Sequence, residues 1–224
     1  MLYDQLDIGK YDDYIFDCDG VLFESNAIKT DAFKVALRNF DEASIDKFLK
    51  YHRANGGISR FEKLKHFCQN ILNENNYEYL LKQLLDSYGT EVFDRLLEAK
   101  LVDDLHVLRT KTKQKPWLVV SGGHENELHQ LFRQRGISEY FDGGIYGSPQ
   151  NKKQIFSQLF SDKKISQRSV FFGDSEYDYF VAKEYQVDFI FVYGWSEMEN
   201  WSSFCKKYGI RAINNLSDLL QIKV

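Results

Sequence analysis

The chain has 224 residues, 43% of them hydrophobic and 28% charged, with 33 acidic side chains against 29 basic ones for a net charge of −4. That length suits one globular domain, or a domain with a modest insert, able to bury roughly 70% of its unfolded surface without a disulfide or metal staple. The charge balance argues against a nucleic-acid binder, and abundant aromatics beside only two prolines exclude a disordered or collagenous chain.

Three scattered cysteines, Cys18, Cys68 and Cys205, form no CxxC pair and are expected to be reduced thiols of a cytoplasmic protein. The opening stretch MLYDQLDIGKYDD is acidic and has no apolar run, so no secretory signal is expected there. No segment approaches the ~18 apolar residues of a membrane span, so no membrane partner is expected either.

A first strand is predicted at 14–16, a short apolar run that ends in Asp17-Cys18-Asp19-Gly20. No further buried strand is predicted before Trp117. The residues between read instead as helices at 27–40, 44–54, 59–72 and 77–100, with Leu80, Leu81, Leu84 and Leu85 on one amphipathic face. From 117 onward, strands and helices alternate. Strands are predicted at 117–120, 144–146 (weaker), 169–172, 188–193 and 211–214, and helices at 125–135, 152–161, 176–185 and 216–222. Continuous apolar strands are buried on both faces, as in a parallel sheet covered by helices. The expected fold is therefore α/β, a Rossmann-like doubly wound parallel sheet, with an all-helical insert over 24–105 and a core formed by 1–23 and 106–224.

Ligands of such sheets bind beyond the carboxyl ends of the strands, so the residues just after each apolar run carry the chemistry. Asp17 and Asp19, two apart at a strand end, can address one substrate. An acidic strand-to-turn junction accounts for them as well. Asp174 and Asp178 lie one helical turn apart at the end of another strand, where Asp174 or Ser175 also serves as a helix N-cap. Clustered carboxylates repel unless a cation neutralises them, and an oxygen-only set selects Mg²⁺. Ser121, Gly122 and Gly123 precede a helix and offer a hydroxyl and backbone N–H groups as an anion cradle at its N-terminus, or a plain glycine-rich turn. Lys152 opens a helix where a cation is disfavoured, although a solvated lysine is the commoner case.

In order, DxDGV after a strand, a helical insert, Ser after a strand, a helix-opening Lys and GDxxxD after a strand resemble the haloacid dehalogenase-like hydrolase superfamily. The resemblance is in particular to its capped phosphoglycolate phosphatases and β-phosphoglucomutases, and it spans the whole chain. It implies Asp17 as the nucleophile that forms an aspartyl-phosphate, and Asp19 as the acid and then the base. It implies Mg²⁺ held by Asp17, the backbone carbonyl of Asp19, and Asp174, with Asp178 at or behind that shell. Ser121, Gly122, Gly123 and Lys152 would bind the transferring phosphoryl group. The lysine motif reads SPxxKK, so Lys153 competes with Lys152 for that role, and Phe23-Glu24-Ser25 stands where many relatives carry Asp-Ser or Asp-Thr.

Between two predicted insert helices, His52 to Arg60 is polar and basic. Gly57-Ile58-Ser59-Arg60 is similar to the cap loop in which β-phosphoglucomutase relatives contact a substrate phosphate through the arginine. The same stretch also reads as a helix–turn–helix with Ser59 as N-cap. Arg60 is the expected specificity residue, with Asn55 and Lys63 behind it. The histidines of His124-Glu-Asn-Glu-Leu-His129 are five apart, off one helical face, so a zinc site is not expected and both read as surface or rim residues. The expected activity is Mg²⁺-dependent hydrolysis of a small phosphorylated metabolite, a sugar phosphate among the candidates. The alternatives are a phosphomutase and a non-catalytic phosphometabolite-binding protein. Substrate and oligomeric state are not legible at this level.

Overall fold

The computed structural model describes residues 7–221. The first six residues, part of the stretch read for a signal, and the last three, the first of which ends the helix predicted over 216–222, lie outside the described residues.

Six parallel strands form one sheet: β1 (Tyr14–Phe16), β2 (Trp117–His124), β3 (Gly144–Ser148), β4 (Val170–Gly173), β5 (Asp188–Val192) and β6 (Arg211–Ile213). Their spatial order is β3-β2-β1-β4-β5-β6, with every pair parallel. The chain steps outward from β1 on one side, then returns to start again at β4 on the other. β1 therefore sits at the point where the strand order reverses, and the crevice beyond its carboxyl end is where such folds bind ligands.

Alternation along the central strands divides the core in two. Phe16, Val119 and Phe172 face one layer, with Leu105 and Leu108 of α5 (Leu105–Lys111) and Leu128, Leu131 and Phe132 of α6 (Glu125–Gln134). Ile15, Leu118, Val120 and Phe171 face the other. There they meet Ile155, Phe156 and Leu159 of α7 (Lys152–Ser161) and Val181 and Ala182 of α8 (Glu176–Glu184). Phe16 stacks on Phe172, with ring centroids 5.1 Å apart, and packs on Trp117 at 4.8 Å.

Between β1 and α5 the chain forms four helices: α1 (Asn26–Ala36), α2 (Glu42–Ala54), α3 (Arg60–His66), which runs on into a π-turn over Phe67–Ile71, and α4 (Glu78–Glu98). They share a buried centre that includes Phe33, Phe48, Phe67 and Tyr88. The chain leaves and re-enters side by side. Glu24 N–H donates to the Lys100 carbonyl and Val102 N–H to the Leu22 carbonyl, both at 2.9 Å, and Phe23 bridges Leu101.

Two helices escaped the sequence reading: α5, and α9 (Trp201–Tyr208), whose Phe204 and Cys205 cover Phe191 on the outer sheet. Both are short amphipathic segments of seven and eight residues, too brief for a clear period. The helix predicted over 59–72 is split, because the last turn widens from α to π geometry at Phe67.

Candidate active site

β1 delivers Asp17 and β4 delivers Asp174 to adjacent positions, since Phe16 is in register with Phe172 and Asp17 N–H donates to the Phe172 carbonyl at 2.9 Å. Gly20 comes next with φ +73°, and a Cβ there would lie 2.2 Å from Asp174 Oδ2. The turn therefore needs glycine twice over, for its left-handed backbone and for the closeness of the carboxylate.

Oxygens of Asp17, Asp174 and Asp178 all lie within 4.8 Å of one another, and the three residues are buried. Lys152 enters from the first turn of α7 and is 1% exposed. Its Nζ is 2.8 Å from Asp17 Oδ2 and 2.5 Å from Asp178 Oδ1. The other Asp178 oxygen accepts from Ser175 Oγ at 2.6 Å, so both are engaged inside the protein. Lys153 points the other way, exposed and paired with Glu184. Geometry therefore brings Lys152, not Lys153, to the carboxylates, and it supplies the reason for a cation at a helix start.

The electrostatics derive from burial. Desolvation pushes the Asp17 carboxyl above the usual carboxylate range, with the Lys152 charge acting against it. Asp174 is raised further, by burial first and then by Asp17 and Asp178, and Asn26 Nδ2 donates to its Oδ2 at 2.7 Å. Burial opposes the Lys152 ammonium, but Asp17 and Asp178 outweigh it and hold the proton on. Three ionised carboxylates facing one ammonium would leave two negative charges uncompensated, which is why Asp17 and Asp174 are pushed towards their protonated forms when no cation is bound. Buried oxygen donors with that residual charge suit a hard divalent cation such as Mg²⁺.

The Asp19 side chain stands apart from this cluster. Its Oδ2 pairs with Lys29 Nζ of α1, and its Oδ1 accepts from Ser25 Oγ at 2.6 Å. Burial alone would raise Asp19, but the Lys29 charge and these hydrogen bonds hold it below the usual range.

Ser121 is fully buried, and its Oγ accepts from Gly123 N–H at 3.0 Å. Ser121, Gly122 and Gly123 do precede a helix, but the strand expected to end at 120 continues through them. Ser121 to His124 belong to β2, with an irregular register against β3, and α6 starts only at Glu125. Strand pairing with β3 extends past Val120 because Gly147 packs closely on the Gly123 carbonyl.

A cavity of about 790 Å³ lies between the helical insert and these strand ends. Asp17, Asp19, Asp174, Gly122 and Gly123 line one side, and Asn55, Arg60 and Lys63 the other. The insert loop seats directly on the core. A Cβ on Gly122 would lie 2.6 Å from the Gly57 carbonyl oxygen, and one on Gly57 would lie 2.8 Å from Ser175 Oγ. Ser59 caps α3 by accepting from Glu62 N–H. Arg60 pairs with Glu127 of α6 and lies 5.3 Å from the Tyr88 ring centroid. Asn55 Nδ2 donates to the Tyr51 carbonyl at 2.8 Å. His129 is exposed, whereas His124 lines the cavity, with Nδ1 buried and without a hydrogen bond among the described residues.

Sequence reasoning missed Asn26, Lys29, Thr30, His52 and Glu197, which also line the cavity or bond within it. A signal existed for the first three: Asn26, Lys29, Thr30 and Phe33 fall on one helical face, so polar residues share a stripe with a core aromatic. His52 likewise comes after Phe48 and Leu49 on the buried face of α2. Glu197 arrives from the loop after β5, and nothing local marks it.

A model of the haloacid dehalogenase-like hydrolases matches residues 14–192. No curated protein matches the sequence. Among solved structures, a predicted phosphatase from Clostridium acetobutylicum superposes with a TM-score of 0.70 at 22% identity, covering 94% of this chain and 97% of that one. CbbY from Rhodobacter sphaeroides, in complex with phosphate, gives 0.69 at 16% identity over 93% and 96%. A predicted phosphoglycolate phosphatase from Haemophilus somnus gives 0.68 at 16% identity over 95% and 97%. At these identities the likeness is one of fold, but the family model spans most of the chain and includes Asp17, Asp19, Ser121, Lys152, Asp174 and Asp178. The chain belongs to the haloacid dehalogenase-like hydrolases.

Proposed function

We propose that the protein is a Mg²⁺-dependent phosphatase of a small phosphorylated metabolite, working through an aspartyl-phosphate on Asp17. The observation that carries this reading is the buried set of Asp17, Asp174, Asp178 and Lys152, of which Asp17 and Asp174 line a cavity that also holds Asp19, with Lys152 and Asp178 packed behind them. An Asp17 oxygen attacks phosphorus, the phosphorus–oxygen ester bond breaks, and its electron pair leaves on the alcohol oxygen, which takes a proton from Asp19 in its protonated form, a form that the Lys29 pairing disfavours in the free protein and that substrate binding has to populate. Water then attacks phosphorus, Asp19 accepts the water proton, and the Asp17–phosphorus bond breaks to release inorganic phosphate. Lys152, Ser121 and the Gly122 and Gly123 amides hold the transferring group.

Asp17, the Asp19 carbonyl and Asp174 would hold the metal. Asp178, with both oxygens engaged, positions Lys152 and Ser175. When bound, Mg²⁺ supplies charge stabilisation for the phosphoryl oxygens. The boundaries at 24 and 105 mark the cap in this proposal, supported by the hydrogen-bonded entry and exit segments at 22–24 and 100–102. A cytoplasmic setting is supported by three buried, unpaired cysteines.

The phosphomutase alternative asks Arg60 to take a second phosphate. Arg60 is already held by Glu127, which favours hydrolysis. The test is release of p-nitrophenol from its phosphate ester, with and without Mg²⁺. Asp17→Asn is expected to lower the rate at least about hundredfold, and an unchanged rate refutes the mechanism. No turnover by the wild type on any phosphomonoester, with no trapping of Asp17 by a fluoride analogue, leaves the non-catalytic reading in its place.

A further inference from the structure

The cavity between insert and core, at about 790 Å³, falls in the upper part of the roughly 300–1,000 Å³ that bury a drug-sized ligand. The phosphoryl end, at Asp17, Asp174, Gly122 and Gly123, takes a small part of that volume. Two groups of lining residues are apolar. Val92 and Leu96 of α4 and Leu128 and Leu131 of α6 are 1–8% exposed, so their surface is already buried by the protein itself. The other group lies where the cavity opens. That mouth is marked by the lining residues that stay exposed: Lys50 and Arg53 late in α2, Glu176 and Phe180 on α8, and Glu199 and Asn200 after β5.

α8 presents two faces. Asp178, Val181 and Ala182 are buried against the sheet, whereas Glu176, Tyr177 and Phe180, spaced i, i+1 and i+4, line the cavity. A lone exposed phenylalanine is ordinary, but the position of this one is not. Among the described residues, Phe61, Tyr79 and Phe180 are the large hydrophobic side chains left exposed, and of these Phe180 alone lines the cavity, with 41% of its surface free. Its ring is held by Tyr179, Phe204 and Tyr208, at centroid distances of 5.2, 6.2 and 5.8 Å. Met198, from the loop after β5, packs on the same Phe204 cluster and also lines the cavity, where its thioether can adapt to a ring. Charge at the mouth is balanced, Glu176 and Glu199 against Lys50 and Arg53, so neither an anion nor a cation is favoured there. Ser175 bonds Asp178 beside the carboxylates, and Phe180 lies five residues further along α8, about 7.5 Å of helix rise. A group that reaches Phe180 is therefore several bonds from the ester oxygen.

We propose that Phe180, with Tyr177 and Met198 beside it, forms a core-side subsite for the far end of the leaving group, and that the substrate is a phosphomonoester whose alcohol carries an uncharged aromatic or heteroaromatic ring. A short acid or a bare sugar leaves this surface uncovered, whereas a ring laid on Phe180 removes apolar area from water and gains an aromatic contact. This rests on the phosphatase reading for which end of the ligand faces Asp17, but it concerns binding and is tested without turnover.

The probes are phosphonates that cannot be hydrolysed, titrated calorimetrically into the protein in Mg²⁺ buffer. They are ω-phenylalkylphosphonates with chains of about two to six carbons, the reach that the helix rise implies, each compared with the alkylphosphonate and the ω-cyclohexylalkylphosphonate of the same chain. At the best length, wild type is expected to bind the phenyl probe at least about tenfold more tightly than the plain alkyl one, and more tightly than the cyclohexyl one. In Phe180→Ala the phenyl-to-alkyl ratio should fall to within about threefold, and Phe180→Tyr should keep it. Phe61→Ala, which removes an exposed phenylalanine outside the cavity, should keep it as well. Equal affinities at every chain length, a cyclohexyl probe bound as well as the phenyl one, or a preference that survives Phe180→Ala in folded protein overturn the proposal. Hydrolysis of phosphomonoesters with no ring preference also overturns it and leaves the phosphatase reading in place. A ring preference without any hydrolysis leaves the subsite standing and removes the hydrolytic reading instead.

Discussion

His52 sits at the centre of the polar network between insert and core, and its burial sets a pH response. Desolvation first, then the Lys63 and Lys29 charges, lower its pKa from 6.5 to about 2. Below about pH 6.5 the unfolded chain takes up a proton at this residue that the folded chain refuses, so stability falls as pH drops. The loss from this residue is about 1.4 kcal/mol between pH 7.5 and 5.5. Urea unfolding at the two pH values should show His52→Gln losing less stability than wild type by about that amount. Equal losses would mean that His52 is protonated in the fold. At this scale the sequence was informative wherever a motif lay on one element: Asp17 and Asp19, or Asp174 and Asp178, are close in the chain. It was silent on the pairing of Lys29 with Asp19 and of Arg60 with Glu127, because those partners meet only through folding.

The loop between α2 and α3 is hydrogen-bonded at its two ends, through Asn55 and Ser59, and its middle seats on the core by close contact. Gly57 has φ +77°, and its neighbour across the interface is Ser175 at the start of α8. Gly57→Ala adds the strain of a left-handed backbone and a clash, costing about 1–2 kcal/mol. The loop should lift from Gly122 and Ser175, and trypsin should cut beside Arg53 and Arg60 several-fold faster than in wild type. An unchanged cleavage rate would mean that the seat on the core does not restrain the loop. The longer helices were legible from apolar spacing, with ends displaced by a few residues, whereas the short α5 and α9 were not. The extension of β2 through Ser121-Gly122-Gly123 was not, since glycines look like a turn until a neighbouring strand supplies the ladder.

Across the whole molecule, the strand order places Asp17 and Asp174 side by side at the reversal point, and the helical insert covers them. Three buried carboxylates with one ammonium make the metal-free fold electrostatically costly at this point. Mg²⁺ at about a hundred times its dissociation constant should therefore stabilise the protein by about 2.7 kcal/mol, or a rise in Tm of about 5–10 °C. Asp174→Asn should abolish that rise while raising the metal-free Tm, because the cost of burying a carboxyl beside Asp17 and Asp178, whether met as repulsion or as protonation, is gone. A metal-free Tm below that of wild type would show that Asp174 contributes more through its Asn26 contact than it costs by repulsion.

The alternating apolar runs by themselves determined a parallel α/β sheet interrupted by helices, and the residues at their carboxyl ends marked where chemistry would lie. Both are consequences of short-range order: the period of apolar positions, burial on two faces, and the residue types at a strand's carboxyl end. Which lysine reaches Asp17, which cap cation is already paired with a carboxylate, and how closely Gly57 approaches Gly122 were decided only by the tertiary structure. Those properties depend on distances between segments far apart in the chain, set by packing across the cavity rather than by any local pattern.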